Sequence, residues 1–499
     1  MKYFTNINQN PAITVSKVLL FLLVVYCPLF LHLGDMPVRV WDEARLIANT
    51  LEMNRNGNFL VTSFEGEPDL WNTKPPLMIW AQLFFLKLIG NEELSFRLPS
   101  AIAGLLTSGI ILLIFSLYMR KYWFGLMAVV VLVTANGYIG DHVVRTGDYD
   151  ALLTFFTTFY ALSFFLYAET RQVKYLHLFF AGVLLSVFTK SVQGLLFLPA
   201  LGIYVMFSGN FRSLIRNKWL YVNTLLVAAF IAGYYLLREA AAPGYLEAVR
   251  NNELGGRYLS TAEFHQHEFG YYLKLLITSQ FGTWFLFVPL GIFAGLTAED
   301  RKIRNLVLYL TLLSIVYFLI ISFAGTKLAW YDAPLYPLLS MIAAAGIYQF
   351  FHALVQFNGF YRQWFRPVSA VLLFIAFFYL PYSTIIDKVY KPVETPEEDD
   401  FYTISHVLQS AANGKSELKD CFICYHGYNQ HLRYYIQRLN EEKKQVFLVD
   451  PESLMEGYNA VYSQDYMRKK IEEKFRFETT GSYKNVKFIK INGIRNSND

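Results

Sequence analysis

The hydrophobic and polar positions of this chain follow two patterns, one on each side of about residue 390. Before it, apolar stretches of roughly 17–25 residues, the length of a helix that crosses a bilayer, alternate with short polar groups. The pattern predicts eleven membrane spans, at 16–33, 97–118, 123–141, 150–168, 175–189, 193–208, 219–237, 271–296, 305–323, 331–353 and 367–386. Residues 1–390 are therefore predicted to form the helical domain of a polytopic membrane protein.

Basic residues give the predicted spans a direction. They occur in every second connection, as Lys17, Arg120 and Lys121, Arg171 and Lys174, Arg212, Arg216 and Lys218, Arg301, Lys302 and Arg304, and Arg362 and Arg366. Because basic connections stay in the cytoplasm, the N-terminus is predicted to lie inside. The outer side then receives the first outer loop 34–96, the turn 142–149, the outer loop 238–270, the turn 324–330 and all residues after 387.

The first outer loop contains two predicted helices. The stretch "VWDEARLIANTLEMNRNGNFL" predicts an amphipathic helix with Asp42, Arg45 and Asn49 on one face, for which a solvated surface helix is the alternative. The stretch "PPLMIWAQLFFLKLIG" is too short to span comfortably and predicts a helix in the outer interface that starts at its two prolines. Lys74 directly precedes these prolines. Its side chain either snorkels to the interface or has a functional role.

After residue 390 the pattern changes to short alternating segments. The stretch "KPVETPEEDD" predicts an acidic linker. The stretches "SELKDCFICYHG", "KKQVFLVD" and "YKNVKFIKING" alternate like strands, and "NQHLRYYIQRLN" and "SQDYMRKKIEEKF" between them are typical of helices. Residues 391–499 are therefore predicted to form a small α/β domain on the outer face. Cys421 and Cys424 are expected in a strand or an outer disulfide, not in catalysis.

Composition excludes several other classes of protein. Of the 499 residues 54% are hydrophobic and only 17% are charged, which does not fit a soluble multidomain chain. The net charge of +5 is spread over the connections and forms no single basic patch, so no nucleic-acid partner is expected. Three cysteines do not make a disulfide framework. The first apolar segment lacks a small-residue cleavage site and is expected to remain as an anchor.

Charged residues at the outer ends of the spans are the candidates for function. They are Asp42, Glu43 and Arg45, then Arg145, Asp148 and Asp150, then Lys190, and then Lys327 and Asp332. Ionisable groups held near the membrane are usually functional. Acidic residues at helix N-termini and cations near headgroups also have purely structural explanations. Four such groups on one side predict a single cavity that faces outward.

Six motifs in order carry a family resemblance. They are "WDEAR", "NTKPPLMIW", "FRLPSAIAGLL", "RTGDYDALLTFF", "TKSVQGLLFLPAL" and "TKLAWYDAPLYP", between residues 35 and 340. The chain resembles the polyprenyl-phosphate-sugar glycosyltransferases of the GT-C superfamily. Within them it resembles the bacterial branch of the dolichyl-phosphate-mannose protein mannosyltransferases, which includes the lipid A aminoarabinose transferases. The resemblance implies a GT-C fold of about 11–13 membrane helices.

The resemblance also implies roles for the candidate residues. It makes Asp42 the base that activates the acceptor, with Asp148 and Asp150 as further catalytic residues and Glu43 as a supporting one. Contacts with the donor phosphate are implied for Lys74, Arg45, Arg145 and Arg257. Lys190, Lys327 and Asp332 are implied substrate contacts. A departing phosphate needs nearby positive charge and the incoming hydroxyl needs a base, so the residue types suit the reaction.

No metal is expected to be required, although a divalent ion is left possible. His265 and His267 alternate in the outer loop 238–270, and some relatives bind zinc through a histidine pair and a glutamate just before the loop lysine. Here Thr73 occupies that glutamate position, so the third ligand is missing. A structural role is therefore expected for the two histidines.

The leading hypothesis is an inverting glycosyltransferase in the cytoplasmic membrane. It would move one sugar from a polyprenyl-phosphate donor to a lipid glycan, such as a lipid A-like molecule, at the outer face. A protein O-mannosyltransferase is the alternative within enzymes. A flippase for lipid-linked glycans is the alternative from another class, but it predicts charges near the bilayer midplane, not at the outer span ends.

Overall fold

The computed structural model describes residues 11–140, 142–209, 211–256, 266–357 and 365–495. It consists of a large helical part and a small C-terminal domain built on a five-stranded sheet. The predicted fold class, a polytopic helical protein with an α/β C-terminal domain, is confirmed.

The first part of the chain contains the first outer loop between two apolar helices. Its elements are α1 (Pro11–Phe30), α2 (Asp42–Asn56), β1 (Ser63–Phe64), β2 (Glu67–Pro68), α3 (Leu77–Ile89), α4 (Glu93–Leu113), α5 (Tyr122–Val133) and α6 (Asn136–Ile139). A π-helical turn, Ile114–Tyr118, extends α4. The helix predicted from "VWDEAR" is α2, and the one predicted after the two prolines is α3.

Among the described residues, the middle part continues with eleven helices. They are α7 (Asp150–Thr170), α8 (Val173–Lys190), α9 (Leu198–Phe207), α10 (Phe211–Ile215), α11 (Lys218–Ala241), α12 (Tyr245–Val249), α13 (Tyr271–Leu275), α14 (Phe287–Leu296), α15 (Arg301–Phe323), α16 (Leu335–Phe357) and α17 (Phe365–Tyr390). Shorter 3₁₀ or π segments lie at Ser191–Leu195, Arg250–Gly256, Leu276–Gln280, Gly282–Leu286 and Ala329–Asp332.

Among the described residues, five helical stretches are long and apolar enough to cross a membrane. They are Glu93–Tyr118, Asp150–Thr170, Val173–Leu195, Lys218–Ala241 and Arg301–Phe323. Shorter apolar helices cover other predicted spans, at Thr14–Phe30, Tyr122–Val133, Leu198–Phe207 and Leu335–Phe351, so the count of 11–13 crossings stays a prediction.

The segment predicted as a span at 271–296 is apolar enough to cross a membrane but is broken in the middle. Tyr271–Gln280 and Gly282–Leu296 meet at an angle of 118°. Gly282 lies at the break with a φ of 56°, a left-handed conformation that favours glycine. The apolar pattern continues through the break, and for this reason hydrophobicity alone does not detect it.

Burial follows the apolar pattern of each helix. In α5 every residue from Phe124 to Val133 is buried, as expected for a helix that is apolar on all sides. It packs against α4 and α16. In α11, by contrast, apolar side chains such as Leu225 and Phe230 are exposed at 71% and 60%, which fits a face turned to lipid.

The C-terminal domain is a mixed sheet with flanking helices. Its elements are α18 (Pro396–Ala412), β3 (Cys421–Cys424), α19 (Gln430–Glu441), β4 (Val446–Val449), β5 (Asn459–Tyr462), α20 (Asp465–Lys474), β6 (Phe475–Tyr483) and β7 (Val486–Ile494). The strand order is β4-β3-β5-β7-β6, with β3 parallel to β4 and β5, and β7 antiparallel to β5 and β6.

Two details of this domain differ from the sequence prediction. The second half of the predicted acidic linker is the first turn of α18, where Thr395 and Glu398 form a capping box. The strands β5 and β6 were not predicted. Cys421 and Cys424 lie in β3 as buried free thiols, so the strand alternative holds and they form no disulfide.

The first outer loop packs directly on the C-terminal domain. Apolar side chains of α2 and α3, including Ile47 and Leu83, share a buried cluster with Leu408 of α18 and Leu432 of α19. The Tyr435 hydroxyl accepts a hydrogen bond from the backbone of residue 38 at 2.9 Å. The start of the first outer loop and its helices α2 and α3 are therefore packed against the C-terminal domain.

Candidate functional site

Three side chains from two outer connections meet at the start of α2. Asp42 is the first residue of α2, and its carboxylate lies 3.9 Å from His142 Nδ1. The same Nδ1 lies 2.8 Å from the carboxylate of Asp148. The His142 ring stacks on Trp330, with ring centroids 3.6 Å apart and planes 12° apart. The imidazole is thus fixed between two carboxylates.

The two carboxylates of this group have opposite pKa shifts. Burial of its carboxyl group, followed by the negative charge of Asp148, raises the pKa of Asp42 above its usual value, although 29% of the side chain is exposed. For Asp148 burial acts in the same direction, but the hydrogen bond and charge of His142 outweigh it and the pKa is lowered. Asp42 is therefore the more basic of the two.

Glu43, next to Asp42, has a different environment. It is 2% exposed and accepts hydrogen bonds from Arg97 Nε at 2.7 Å and Arg97 Nη2 at 2.8 Å. It also accepts one from the backbone N–H of Gly147 at 2.8 Å. Burial would raise the pKa of Glu43, but the Arg97 guanidinium and these hydrogen bonds lower it. Glu43 thus joins α2, α4 and the second outer turn.

Gly147 allows these elements to approach. A Cβ atom at this position would lie 2.9 Å from both Gln82 Nε2 and the Phe96 carbonyl oxygen, closer than side chains tolerate. Gln82 donates hydrogen bonds to the carbonyls of Gly147 and Phe96, both at 3.1 Å. The turn that carries Asp148 is therefore positioned by a residue without a side chain.

Arg45 is held by a buried carboxylate on the far side of α2. Its Nε and Nη2 donate to Asp69 at 2.9 and 2.7 Å, a bidentate pair. The guanidinium lies 3.2 Å from the centre of the Phe64 ring and 5.2 Å from that of Trp71. Despite burial, the Arg45 hydrogen bonds and charge lower the pKa of Asp69.

Lys74 lies close to an acidic residue of the outer loop 238–270. Its Nζ is 3.9 Å from Glu253 Oε1 and 5.4 Å from the centre of the Tyr149 ring. Glu253 belongs to the π-helical segment Arg250–Gly256, and it also accepts a hydrogen bond from the Thr73 hydroxyl at 2.9 Å. The charge of Lys74 lowers the pKa of Asp42, so the two side chains share one electrostatic environment.

Asp150 and Lys190 form a buried ion pair at the outer ends of α7 and α8. The Lys190 Nζ donates to both carboxylate oxygens, at 2.7 and 2.6 Å. Both residues are almost completely buried, at 1% and 4% exposure. Each therefore satisfies the charge of the other, and the pair joins the two helices next to Asp148.

The remaining predicted residues make other contacts. Arg145 donates to the carbonyls of Pro28 and Leu31 at 2.9 and 2.7 Å, and so covers the C-terminal end of α1. Lys327 donates to the Ala324 carbonyl at 2.8 Å. Asp332 accepts from the Tyr336 hydroxyl at 2.8 Å, and Tyr336 lines a cavity of about 450 Å³ that His142 also lines.

Among the described residues, one group of side chains could hold a metal ion. The ligand atoms of Asp42, His142 and Asp148 all lie within 4.8 Å of one another. Of the two predicted weak candidates, His267 is not part of this group and stacks on Tyr271, with ring centroids 4.0 Å apart, whereas His265 lies outside the described residues. Arg257, the predicted phosphate contact, also lies outside them.

Sequence reasoning did not single out several residues that organise the site. His142 lies in the predicted turn 142–149, three residues before the motif "RTGDYDALLTFF", and Arg97 is part of "FRLPSAIAGLL". A charged residue inside an otherwise apolar helix, as Arg97 is, predicts a buried partner and could have identified Glu43 as structural. Asp69 and Glu253 carry no comparable signal, because each occurs in an ordinary polar stretch.

Comparisons with known proteins agree with this architecture. The sequence model of the dolichyl-phosphate-mannose-protein mannosyltransferase family matches residues 73–235. The crystal structure of ArnT from Cupriavidus metallidurans bound to undecaprenyl phosphate superposes with a TM-score of 0.68 at 16% identity, over 96% of this chain and 98% of ArnT. The chain has the GT-C fold. The resemblance found in the sequence is confirmed.

This chain covers only part of the other matching proteins. An archaeal oligosaccharyltransferase from Archaeoglobus fulgidus shares the GT-C fold at a TM-score of 0.51 and 12% identity, over 96% of this chain and 70% of that one. The undecaprenyl phosphate-α-4-amino-4-deoxy-L-arabinose arabinosyl transferase of Aeromonas salmonicida is 28% identical over 338 residues. The chain spans 58% of that transferase and 64% of a 26% identical protein from Aquifex aeolicus. Together with the helices described above, the GT-C fold makes the chain an integral membrane protein.

Proposed function

We propose that this chain is an inverting glycosyltransferase that uses a polyprenyl-phosphate-linked sugar as donor. It transfers one sugar to a lipid glycan or another envelope acceptor at the outer face of the cytoplasmic membrane, with its N-terminus inside. The observation that carries the proposal is the position of Asp42. Its carboxylate has a raised pKa, is partly open to solvent and lies within the electrostatic range of Lys74.

The chemistry follows from these two charges. The Asp42 carboxylate accepts the proton of the acceptor hydroxyl, whose oxygen attacks the anomeric carbon of the donor. The bond from that carbon to the phosphate oxygen breaks, and the phosphate leaves with the electron pair. A single displacement of this kind inverts the anomeric configuration. Lys74 stabilises the charge that develops on the departing phosphate.

His142, Asp148, Asp150 and Lys190 support this step. His142 and Asp148 form a hydrogen-bonded pair beside Asp42. The charge of Asp148 raises the pKa of Asp42, and the charge of His142 lowers it. The Asp150–Lys190 pair orders the outer end of α7. Arg45, with Asp69, holds α2 against the rest of the first outer loop. We propose that the phosphate binds at Lys74 of this loop.

The relatives support the class of donor. The aligned ArnT structure contains undecaprenyl phosphate, and the name of the Aeromonas relative specifies a sugar linked to undecaprenyl phosphate. A protein O-mannosyltransferase is the second candidate, because the matching family model is that of protein mannosyltransferases. Donor use is common to both candidates, and the acceptor separates them.

The test is donor consumption by the purified chain in detergent micelles. Undecaprenyl-phosphate sugars are supplied one at a time with an envelope extract, and wild type is compared with Asp42→Asn and Lys74→Ala. Asp465→Asn and Lys469→Ala, on the exposed face of α20, are the matched controls. We expect wild type and the controls to consume one donor and both site variants to lose at least about a hundredfold in rate.

Two results would contradict the proposal. One is consumption of no donor by wild type, which would reopen the flippase hypothesis. The other is unchanged turnover in folded Asp42→Asn, which would remove the base. Mass spectrometry of the product then distinguishes a glycan acceptor from a protein acceptor.

A further inference from the structure

Two aromatic rings stack where the first outer loop meets the C-terminal domain. Trp41 and Tyr428 have ring centroids 4.5 Å apart and planes 19° apart. The Tyr428 hydroxyl lies 3.4 Å from the Trp41 carbonyl oxygen as donor. We call these two residues the aromatic pair. Trp41 is the residue directly before Asp42, so the aromatic pair adjoins the proposed catalytic base.

The conformation of Trp41 is unusual for its position. Its φ is 68°, in the left-handed region that residues with side chains rarely adopt, and it directly precedes the first turn of α2. The side chain is nevertheless 57% exposed. A strained backbone that keeps a large apolar ring in solvent does not stabilise a core, and strain of this kind is found at binding sites.

Charged and polar groups surround the aromatic pair. The charges of Arg45, Asp42 and Asp69 all act on the Tyr428 hydroxyl, which places these groups close to it. On the adjoining edge, Glu65 accepts a hydrogen bond from Gln430 at 3.0 Å and lies 3.9 Å from Arg433. An exposed ring bordered by carboxylates and guanidinium groups offers one apolar face and several hydrogen-bond partners.

We infer that the aromatic pair is the platform on which a sugar ring of the acceptor packs. This inference rests on the proposed function and names its acceptor as a glycan. A pyranose ring has C–H groups on one face, which pack on the negative face of an indole, and hydroxyls at its edge, which bind carboxylates and guanidinium groups. A serine or threonine side chain has no such face, so the site favours a glycan over a protein hydroxyl.

The location assigns the platform to the acceptor and not to the donor. Lys74, the proposed phosphate contact, lies against Glu253 and Tyr149, on the side of the second outer turn and the outer loop 238–270. Trp41 instead contacts the C-terminal domain through Tyr428. Asp42 directly follows Trp41 of the platform in sequence and lies within the electrostatic range of Lys74. The proposed base therefore lies between the two substrates, where a hydroxyl of an acceptor on the platform reaches it.

The experiment measures the kinetics of each substrate separately in the full chain. A lipid-linked glucosamine disaccharide and a serine- and threonine-containing peptide are the two acceptor probes, used with the undecaprenyl-phosphate sugar that wild type consumes. In Trp41→Ala and Tyr428→Ala we expect the KM for the disaccharide to rise about tenfold or more, as for the loss of an aromatic contact near 1.4 kcal/mol. The KM for the donor and its slow hydrolysis without acceptor stay unchanged.

Conservative variants separate binding from structure. Tyr428→Phe keeps the ring stack, so its KM for the disaccharide is expected within about twofold of wild type. Tyr483→Ala, which removes an exposed tyrosine of β6, is the control and leaves all constants unchanged. If the aromatic pair had only a structural role, Trp41→Ala and Tyr428→Ala would lower kcat and raise the KM for the donor. Tyr428→Phe would then show the same effects.

Each result of these measurements supports or overturns the proposed function or the platform. If wild type consumes no donor, the proposed function falls and the platform falls with it. If wild type uses the donor with the peptide but not with the disaccharide, the transferase stands and the platform is overturned. An unchanged KM for the disaccharide in folded Trp41→Ala overturns the platform as well, even where Tyr428→Ala fails to fold.

Discussion

At the scale of single residues, the neighbours Asp42 and Glu43 show how two carboxylates acquire different functions. Glu43 accepts hydrogen bonds from the Arg97 side chain and from the backbone N–H groups of Arg39 and Gly147, which lower its pKa and keep it charged. Among the described residues, the nearest ion-pair partner of Asp42 is His142, at 3.9 Å, and burial raises the pKa of Asp42. The first is a fixed structural anion, and the second is available to take a proton.

The pH dependence of turnover tests this difference. Because the pKa of Asp42 is raised, the acid limb of kcat/KM is expected above the ordinary aspartate value of about 3.9. His142 opposes this shift, since its charge lowers the pKa of Asp42. In His142→Gln the acid limb therefore moves to higher pH, and the rate at low pH falls further.

The measurement is a kcat/KM profile between pH 4 and 8 at saturating donor. His426→Gln, at an exposed position of the C-terminal domain, is the matched control and keeps the wild-type limb. An acid limb that stays in place or moves to lower pH in His142→Gln would contradict the assignment of Asp42 as the titrating base.

At the scale of elements, the site depends on how closely the second outer turn approaches α2 and α4. Gly147 has no side chain, and its backbone N–H binds Glu43 while its carbonyl binds Gln82. In Gly147→Ala the new methyl group would overlap Gln82 and the Phe96 carbonyl, so the turn must shift and carry Asp148 with it. We expect a loss of roughly tenfold to a hundredfold in kcat/KM, because small misplacements of catalytic groups have effects of that size.

Gly109→Ala is the control for this substitution. A Cβ atom there meets nothing within 4 Å, and Gly109 lies inside α4, where alanine is the better helix former. Wild-type turnover is expected in Gly109→Ala. Equal turnover in both variants, measured with the same donor and acceptor, would show that the close approach at Gly147 has no part in the activity.

How far the sequence predicts these elements depends on the range of the interactions. Local patterns predict α7 from its observed start at Asp150 and α2 within the stretch that begins at Val40. The break at Gly282 is not predicted, because the apolar pattern continues through it. Of the predicted site residues, Asp42 and Asp148 come together through His142, whereas Arg145 instead covers the end of α1. Such partners lie far apart in the chain, and periodicity carries no information about them.

At the scale of the whole molecule, the C-terminal domain has a buried histidine that links its stability to pH. His431 is 0% exposed, stacks on Phe401 and packs near Tyr402 and Tyr425, and neither ring nitrogen has a hydrogen-bond partner among the described residues. Burial lowers the pKa of His431 to about 4. The folded chain therefore holds this imidazole neutral.

The sign of the pH effect follows from linkage. Above about pH 6.5, the ordinary histidine pKa, both folded and unfolded forms are neutral and the group has no effect. As the pH falls below that value the unfolded chain binds the proton and the folded chain does not, so stability is lost progressively down to about pH 4. The full loss is on the order of 3 kcal/mol.

The substitution His431→Phe is expected to reduce the drop in thermal unfolding midpoint between pH 7.5 and pH 5. The full chain in detergent is used for both measurements. His426→Phe, at an exposed position, is the control and keeps the wild-type drop. An equal drop in His431→Phe and wild type would show that other groups cause the acid sensitivity.

The contact of Glu253 with Lys74 bears on the end of the catalytic cycle. On the proposed function, the donor is a phosphodiester with one negative charge, whereas the spent carrier is a phosphomonoester with a second ionisation near pH 6. A bare lysine would hold the spent carrier more tightly than the incoming donor. Glu253 already compensates part of the lysine charge. It therefore weakens the binding of the more highly charged product and allows the carrier lipid to leave for recycling.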